Sequence, residues 1–543
     1  MSLARTRRLD RFVALAAMIL VLASSSFREA RGRSLPPPAV PPENPITDSK
    51  AVLGKILFWD EQLSSDNTIA CGSCHLPRFG SGDPRSVRIP GPDGIPGSDD
   101  DTFGSPGVAR STRTGHYRPD VEAGFAARIT PRLAPNVLTA AYDDEIFWDG
   151  RAGARFIDPA TGEVILEEGG ALESQSLQPL LNPVEMAYEG RTWDDVIAKI
   201  EGSTPLGLAT DLPPDTASAI AAHPTYPELY DDAFGSGGGV TLARTAMALA
   251  TYLRTLVPDQ SPFDRNGLSA SEEAGKLVFQ TKNCTHCHRG RAQSDHEFHN
   301  TGIRPAHEDV GRMAVTGDSA DIGRFKTPSL RNVGLRTRLT HAGTFGSLEE
   351  IVDFYDRGGD FHEHQDPAMA PLGLTSAERS NLIAFLRSGL TDPRVANAQH
   401  PFDRPTLRSE IGSAVELGVG HPGSGDRVPQ LLATSPLVAG AEFRLGIHDA
   451  LGGARSLLAV SRAAASDGRL VRGVPLYVSP ASARLVERTL RGEGPGAGYA
   501  TVRPRRPLEP RHVGREVFAQ WFVLDPEADQ GVASTAAVAY EVL

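Results

Sequence analysis

Two short stretches decide how this chain is read: Cys71-Gly72-Ser73-Cys74-His75 and Cys284-Thr285-His286-Cys287-His288. Together they hold all four cysteines, and the second begins 213 residues after the first. No cysteine is left over for a disulfide. C-x-x-C-H is the attachment signature of a c-type haem. Two thiols three positions apart on one helical turn reach the vinyl groups on one edge of a porphyrin. The adjacent histidine then swings under the iron as proximal ligand. A redox dithiol and half of a zinc site are the competing readings. Two occurrences, each with its histidine in place and no other cysteine in the chain, argue against both. The sequence therefore specifies two covalently bound c-type haems, anchored by Cys71, Cys74, Cys284 and Cys287 and ligated by His75 and His288.

The chain around these motifs has 543 residues, which corresponds to about three or four domains. Its composition is 40% hydrophobic and 22% charged, enough to bury a sizeable core. A formal net charge of −12 excludes a nucleic-acid partner, which wants a basic surface. With 55 glycines and 42 prolines, many turns and long loops are expected.

Helical spacing of apolar residues predicts helices over Val240–Leu256, Ser269–Phe279, Ser347–Tyr355 and Thr375–Leu386. Ser271 and the glutamates after it are the start signal of the second, which runs into the Cys284 motif. Gly80–Gly107 follows the first motif and reads as an irregular insertion, with Asp99-Asp100-Asp101 at a solvated tip. A second insertion, Phe156–Gly170, carries the turn Asp158-Pro159-Ala160-Thr161-Gly162, suited to a hairpin. Beyond about residue 403 the texture changes. Glu442–Ile447, Ser456–Val460, Val474–Val478, Val517–Leu524 and Ala536–Val542 are short apolar stretches between Gly/Pro turns, a β-sandwich signature.

Residues 1–33 read as an export signal: Arg5, Arg7, Arg8 and Arg11 precede the apolar run Phe12–Ala23. That run is short for a membrane span of about 20 residues. No membrane segment beyond the signal is expected, and the mature chain is expected in the periplasm. Residues 34–46 are a Pro-rich linker. The expected architecture is mostly α: an N-terminal c-type haem domain over 47–250, a C-terminal c-type haem domain over 251–402, and a β-sandwich-like accessory domain over 403–543.

Residues 47–400 resemble the bacterial di-haem cytochrome c peroxidases and their MauG-type relatives. The resemblance rests on the haem motifs together with Leu53-Gly54-Lys55-Ile56-Leu57-Phe58, Ala134-Pro135, Phe147-Trp148-Asp149-Gly150-Arg151, Leu181-Asn182-Pro183-Val184-Glu185-Met186, Thr327-Pro328-Ser329-Leu330-Arg331-Asn332 and Phe354-Tyr355-Asp356-Arg357-Gly358-Gly359. It implies that the His75 haem reacts with peroxide and that the His288 haem transfers electrons. It implies further that Trp148 lies between the haems, and that Glu185, Gln175 and Pro179 line the distal pocket. A carboxylate beside an open haem face suits the proton shift that O–O cleavage needs. Tyr355 lies 14 residues beyond His341, where the peroxidases carry an axial methionine and MauG-type proteins a tyrosine. A phenolate oxygen stabilises ferric iron and lowers its potential, whereas methionine raises it. Met313 and Met369 are the alternative ligands, and His116 is an alternative distal ligand for the first haem. Leu133 stands where the family has an asparagine of a calcium site, and Arg336-Thr337-Arg338 replaces a carbonyl-donating segment, so calcium is doubtful.

The function these residues imply is a periplasmic di-haem peroxidase reducing hydrogen peroxide to water. Its electron donor would be a small cytochrome c or a cupredoxin. A MauG-type oxidase acting on a protein side chain and a non-catalytic electron carrier are the alternatives. A second metal site among His286, His296, His299, His307, His362 and His364 competes with solvated loop histidines. The sequence leaves the oligomeric state open.

Overall fold

The computed structural model describes residues 34–543 except 96, 99, 121–126, 412–413, 434–436, 438, 440–442, 472 and 504–507, together with the side chains of 466–469. The expected signal segment, Asp99 and Glu442 lie outside the described residues. The structure is 29% helical and 21% strand, which corrects the expectation of a mostly α protein. The haem-bearing region is helix-rich but spends much of its length in Gly/Pro turns and single 3₁₀ turns. The longest described helix, Leu242–Thr255, has 14 residues. The region after residue 403 is built from strands.

Two helix crossings organise the haem-bearing region, and each depends on a glycine. The helix Asp48–Trp59 starts at Thr47, whose hydroxyl accepts from Lys50 N at 3.3 Å. It lies against Leu242–Thr255 so closely that a Cβ on Gly54 would collide with the Ala248 carbonyl. Around this crossing Leu53, Ile56, Leu57, Trp59, Tyr226, Tyr230 and Tyr252 are buried, and Trp59 Nε1 donates to the Tyr252 hydroxyl at 3.1 Å. The second crossing pairs Ala270–Thr281 with Ser376–Ala384, and there a Cβ on Gly275 would collide with the Asn381 carbonyl. The cap of Ala270–Thr281 is Ser269 in a reciprocal box with Glu272, not Ser271. Thr375 and Glu378 form the same box on the partner helix. Each crossing anchors its own apolar cluster, and Val395, Phe402 and Leu407 return to the first of them.

The insertion after the first motif is more ordered than expected. Val87–Ile89 pairs antiparallel with Thr102–Gly104, and Pro106–Ala109 with Ala127–Ile129. Asp101 is no solvated tip: it is buried, accepts from Gly97 N at 2.6 Å and pairs with Arg88 at 2.7 Å. The second insertion does form a hairpin, Phe156–Ile157 with Val164–Leu166.

In the tail, one antiparallel sheet runs in the order Arg484–Thr489, Arg455–Ser461, Glu516–Leu524, Ala537–Glu541, Val415–Leu417. A second joins Gln430–Ala433, Leu445–Gly452 and Gly494–Val502. Leu458, Trp521 and Val523 from the first and Leu445 and Ile447 from the second share one core, which is the packing of a sandwich. The tail rests on the first haem-motif region: Tyr117 N donates to Thr501 Oγ1 at 2.9 Å, and Ser409 N to Glu61 Oε1 at 3.1 Å. Among the described residues no helix is long and apolar enough to cross a membrane.

Candidate haem sites

Each C-x-x-C-H motif faces its own cavity. The first motif forms the one-turn helix Cys71–Cys74, with His75 immediately after it. Gly72 lies flat on the Trp59 ring, where any side chain would collide. The cavity beside it is lined by Cys71, Cys74 and His75 on one side and by Gln175, Pro179 and Glu185 on the other. No disulfide joins the four cysteines. Burial pushes the Cys71 and Cys74 thiols up to about 12 and Cys284 up to about 11. A redox dithiol or a zinc site needs the opposite shift, since the thiolate is the working form. Burial, then the charge of Arg336, brings His75 down to about 4, so its imidazole is neutral at ordinary pH. Its Nδ1 is buried with no hydrogen-bond partner.

Glu185 is held on two sides. Asn182 Nδ2 donates to Glu185 Oε1 at 2.6 Å, while Asn182 Oδ1 accepts from Val184 N at 2.9 Å and closes the turn. From the insertion, Val108 N donates to the Glu185 carbonyl at 3.1 Å. Gly107 passes so near that a Cβ would collide with the Val184 carbonyl. Burial raises the Glu185 carboxyl above its ordinary range, against the lowering effects of Arg151 and Asn182. Gln175 lies near the end of the helix Ala171–Ser176. That helix is fixed by the fully buried pair Glu173–Arg254, at 2.7 Å. Asn182 and this ion pair were missed in the sequence; the Asn-Pro turn signal was there to find the first.

The second motif is tighter. Asn283 takes a left-handed conformation and Cys284–His286 form a 3₁₀ turn. His288 Nδ1 lies 3.1 Å from the Gln293 carbonyl. A carbonyl only accepts, so Nδ1 carries the proton and Nε2 keeps its lone pair for a metal. The cavity here is the larger, about 210 Å³ against 60 Å³, and is lined by Cys284, Cys287, His288, Tyr355, Met369 and His341 among others. Tyr355 comes from the helix Leu348–Asp356, and burial pushes its phenol well up. Met313 does not line this cavity; Met369 does. His341, also missed as a site residue, stacks on Phe325 at 3.5 Å and leaves Nε2 buried without a partner.

Trp148 belongs to the wall of the second cavity. Its Nε1 donates to the Leu133 carbonyl at 2.8 Å, and its ring meets His341 edge-on at 6.2 Å. The segment Leu133–Val137 separates the cavities, with Asn136 lining the second and Val137 the first. Arg336 Nη2 donates to the Ala134 carbonyl at 2.8 Å within the same wall. His116 lines neither cavity; its Nδ1 lies 3.0 Å from Thr114 Oγ1 at the tail. Of the second-region histidines, His296 pairs with Asp143 at 2.6 Å and His299 with Asp366 at 2.6 Å and Asp295 at 3.1 Å. The nitrogen of His299 also lies within 4.8 Å of Cys287 Sγ and an Asp295 oxygen, but that sulfur belongs to the haem motif.

A pair of cysteines, a histidine held neutral by burial and an apolar cavity beside each motif fit a covalently attached haem twice over. The class is therefore a di-haem c-type cytochrome. Residues 48–273 match the di-haem cytochrome c peroxidase family and residues 272–389 match cytochrome c. The methylamine utilization protein MauG of Methylorubrum extorquens is 29% identical over 381 residues, 68% of this chain and 86% of that one. The cytochrome-c peroxidase IdrP1 of Pseudomonas sp. is 29% identical over 416 residues, 69% of this chain and 88% of that one. Cytochrome c551 peroxidase of Nitrosomonas europaea is 29% identical over 347 residues, 62% and 80% of the two chains. Residues 48–273 thus carry a di-haem cytochrome c peroxidase domain and residues 272–389 a cytochrome c domain, and the protein is an oxidoreductase with two c-type haems.

Proposed function

We propose that the protein is a di-haem peroxidase that reduces hydrogen peroxide to water with electrons from a small redox protein, a cytochrome c or a cupredoxin. The observation that carries this reading is the convergence of Glu185, Gln175 and Pro179 on the cavity of the Cys71–His75 motif. When bound, the haems supply the iron and the electrons that peroxide reduction requires. His75 and His288 would ligate the two haem irons, and Cys71, Cys74, Cys284 and Cys287 would hold the haems covalently. Glu185 accepts the proton of the nearer peroxide oxygen and returns it to the farther one. Asn182 aims its carboxyl, and Gln175 orients the peroxide. Trp148 and the Leu133–Val137 wall bridge the two sites, and Tyr355 would be a further ligand of the second haem iron. The basic and apolar run at residues 1–33 supports export to the periplasm. The division into haem units over 47–250 and 251–402 and an accessory unit over 403–543 belongs to the same proposal.

A second reading, oxidation of a protein side chain as in MauG-type enzymes, is favoured by one observation: Tyr355 lines the cavity that His288 lines. Steady-state oxidation of a reduced small cytochrome c by peroxide tests the first reading. Glu185→Gln is expected to lower kcat/KM by about 10²- to 10⁴-fold with the haem spectra unchanged. An unchanged rate in that variant sinks the assignment.

A further inference from the structure

Arg336 is a half-buried cation held by carbonyls alone. It follows the 3₁₀ turn Val333–Leu335. Its guanidinium donates to three backbone carbonyls: from Nη2 to Ala134 at 2.8 Å, from Nη1 to Gly80 at 3.3 Å and from Nε to Arg338 at 3.4 Å. Among the described residues no carboxylate forms an ion pair with it. Arg132, from the same wall as Ala134, is by contrast paired with Asp149 and Asp309. Burial lowers the Arg336 pKa to about 10, so it is still a cation at ordinary pH. A desolvated charge without a counter-charge is costly.

The three bonds place this charge between the two sites. Gly80 belongs to the turn that follows His75; it has φ +59, and a Cβ there would meet the Arg336 side chain at 2.9 Å. Ser81 in the same turn accepts from Val137 N at 3.2 Å and ties the turn to the wall. Arg336 thus stands against the first site, and its charge acts on His75. It also lines the second cavity, and one N–H on each Nη is left over by the carbonyls. Haem propionates are anions that a guanidinium fork matches. Converging carbonyls are also the ligands of a calcium ion. Here a guanidinium takes them, Leu133 offers no side-chain oxygen, and Arg338 lies over the Phe103 ring at 3.7 Å.

We propose that Arg336 is the resident cation of the wall between the two haem sites: its guanidinium takes the position a calcium ion would fill, and its charge raises the reduction potential of both haems. A positive charge near an iron favours the ferrous over the ferric state. At the second site it opposes the lowering that a phenolate ligand brings. The proposal rests on the two haems and not on the peroxidase reading, so a failure of peroxide turnover with unchanged potentials would count against that reading alone.

The test is spectroelectrochemical titration of the full-length holoprotein. In Arg336→Gln the ferrous-to-ferric ratio at a fixed potential is expected to fall by about three- to tenfold in both haems. Arg336→Lys keeps the charge and loses the fork, so its Tm falls while both ratios stay within about twofold of wild type. Arg155→Gln, at an exposed pair with Glu167, leaves both ratios unchanged. Wild type dialysed against EGTA should keep its Tm and both potentials, and metal analysis should find calcium only in substoichiometric amount. That measurement needs no variant to fold. Stoichiometric calcium, or a lower Tm after chelation, would overturn the replacement of calcium by Arg336. Unchanged potentials in Arg336→Gln, or an equal fall in the Gln and Lys variants, would overturn the effect of its charge. A shift confined to one haem would overturn its placement between them.

Discussion

The two haem cavities are built on one plan and furnished differently. Each is entered from a C-x-x-C-H turn, and each rests on two helices crossing at a glycine, Gly54 in one and Gly275 in the other. The first cavity is faced by Glu185 and Gln175, a carboxyl and an amide. The second is faced by Tyr355 and Met369, a phenol and a thioether. The difference teaches that role is set on the face opposite the motif. One cavity presents a buried carboxyl opposite the motif, the other a phenol and a thioether.

Substitutions can break this contrast, and the largest effects are expected where burial is greatest. Glu185→Gln removes the proton carrier and should lower kcat/KM for peroxide by about 10²- to 10⁴-fold, whereas Tyr355→Phe should leave peroxide binding at the first site intact and alter the visible spectrum of the second haem. Glu173→Ala leaves Arg254 buried and unpaired beside the helix of Gln175. Unfolding by urea should show a loss of about 3–5 kcal/mol. Asp264→Ala is the matching test in the second region, since Asp264 pairs with the buried Arg331 at 2.8 Å. A loss in one variant and none in the other would show that the two crossings are not equivalent supports.

A smaller effect is expected in the pH dependence. Burial raises Glu61, at the contact between the first region and the tail, from 4.5 to about 7. The folded state therefore holds this proton more tightly than the unfolded chain does. The associated stability is complete below about pH 4.5 and is lost as pH rises to about 7. Glu61→Gln should flatten the fall in Tm over that window and be the more stable form above it. Smallest of all, Trp148→Phe keeps most of the packing but gives up the bond from Nε1 to the Leu133 carbonyl. About 1 kcal/mol of stability should be lost, with slower electron transfer between the sites in stopped-flow measurements.

What the sequence made legible was local. The haem motifs, the helices over 242–255 and 270–281 and the strands of the tail all follow from spacing and capping within a dozen residues. The content of the first cavity was legible only through the resemblance, because Cys71, Gln175 and Glu185 are brought together by long-range packing. The insertion after Gly80 read as loop because its strands are three or four residues long and pair across a dozen or more. Nothing in its periodicity says that Val108 will hold Glu185. His341 and the Arg254–Glu173 pair were invisible for the same reason: burial partners 81 residues apart leave no local pattern. The fold-class expectation failed on proportion, because turns around two cofactors take residues that a simple helical count assigns to helices.

The central claim is that the two sites differ in their open face. The most direct measurement is the EPR and visible spectrum of the resting ferric holoprotein, followed by addition of stoichiometric hydrogen peroxide. The account predicts one high-spin haem that loses its signal on peroxide addition and one low-spin haem that does not bind it. Two low-spin haems that ignore peroxide, even after one-electron reduction, would contradict it and leave an electron carrier.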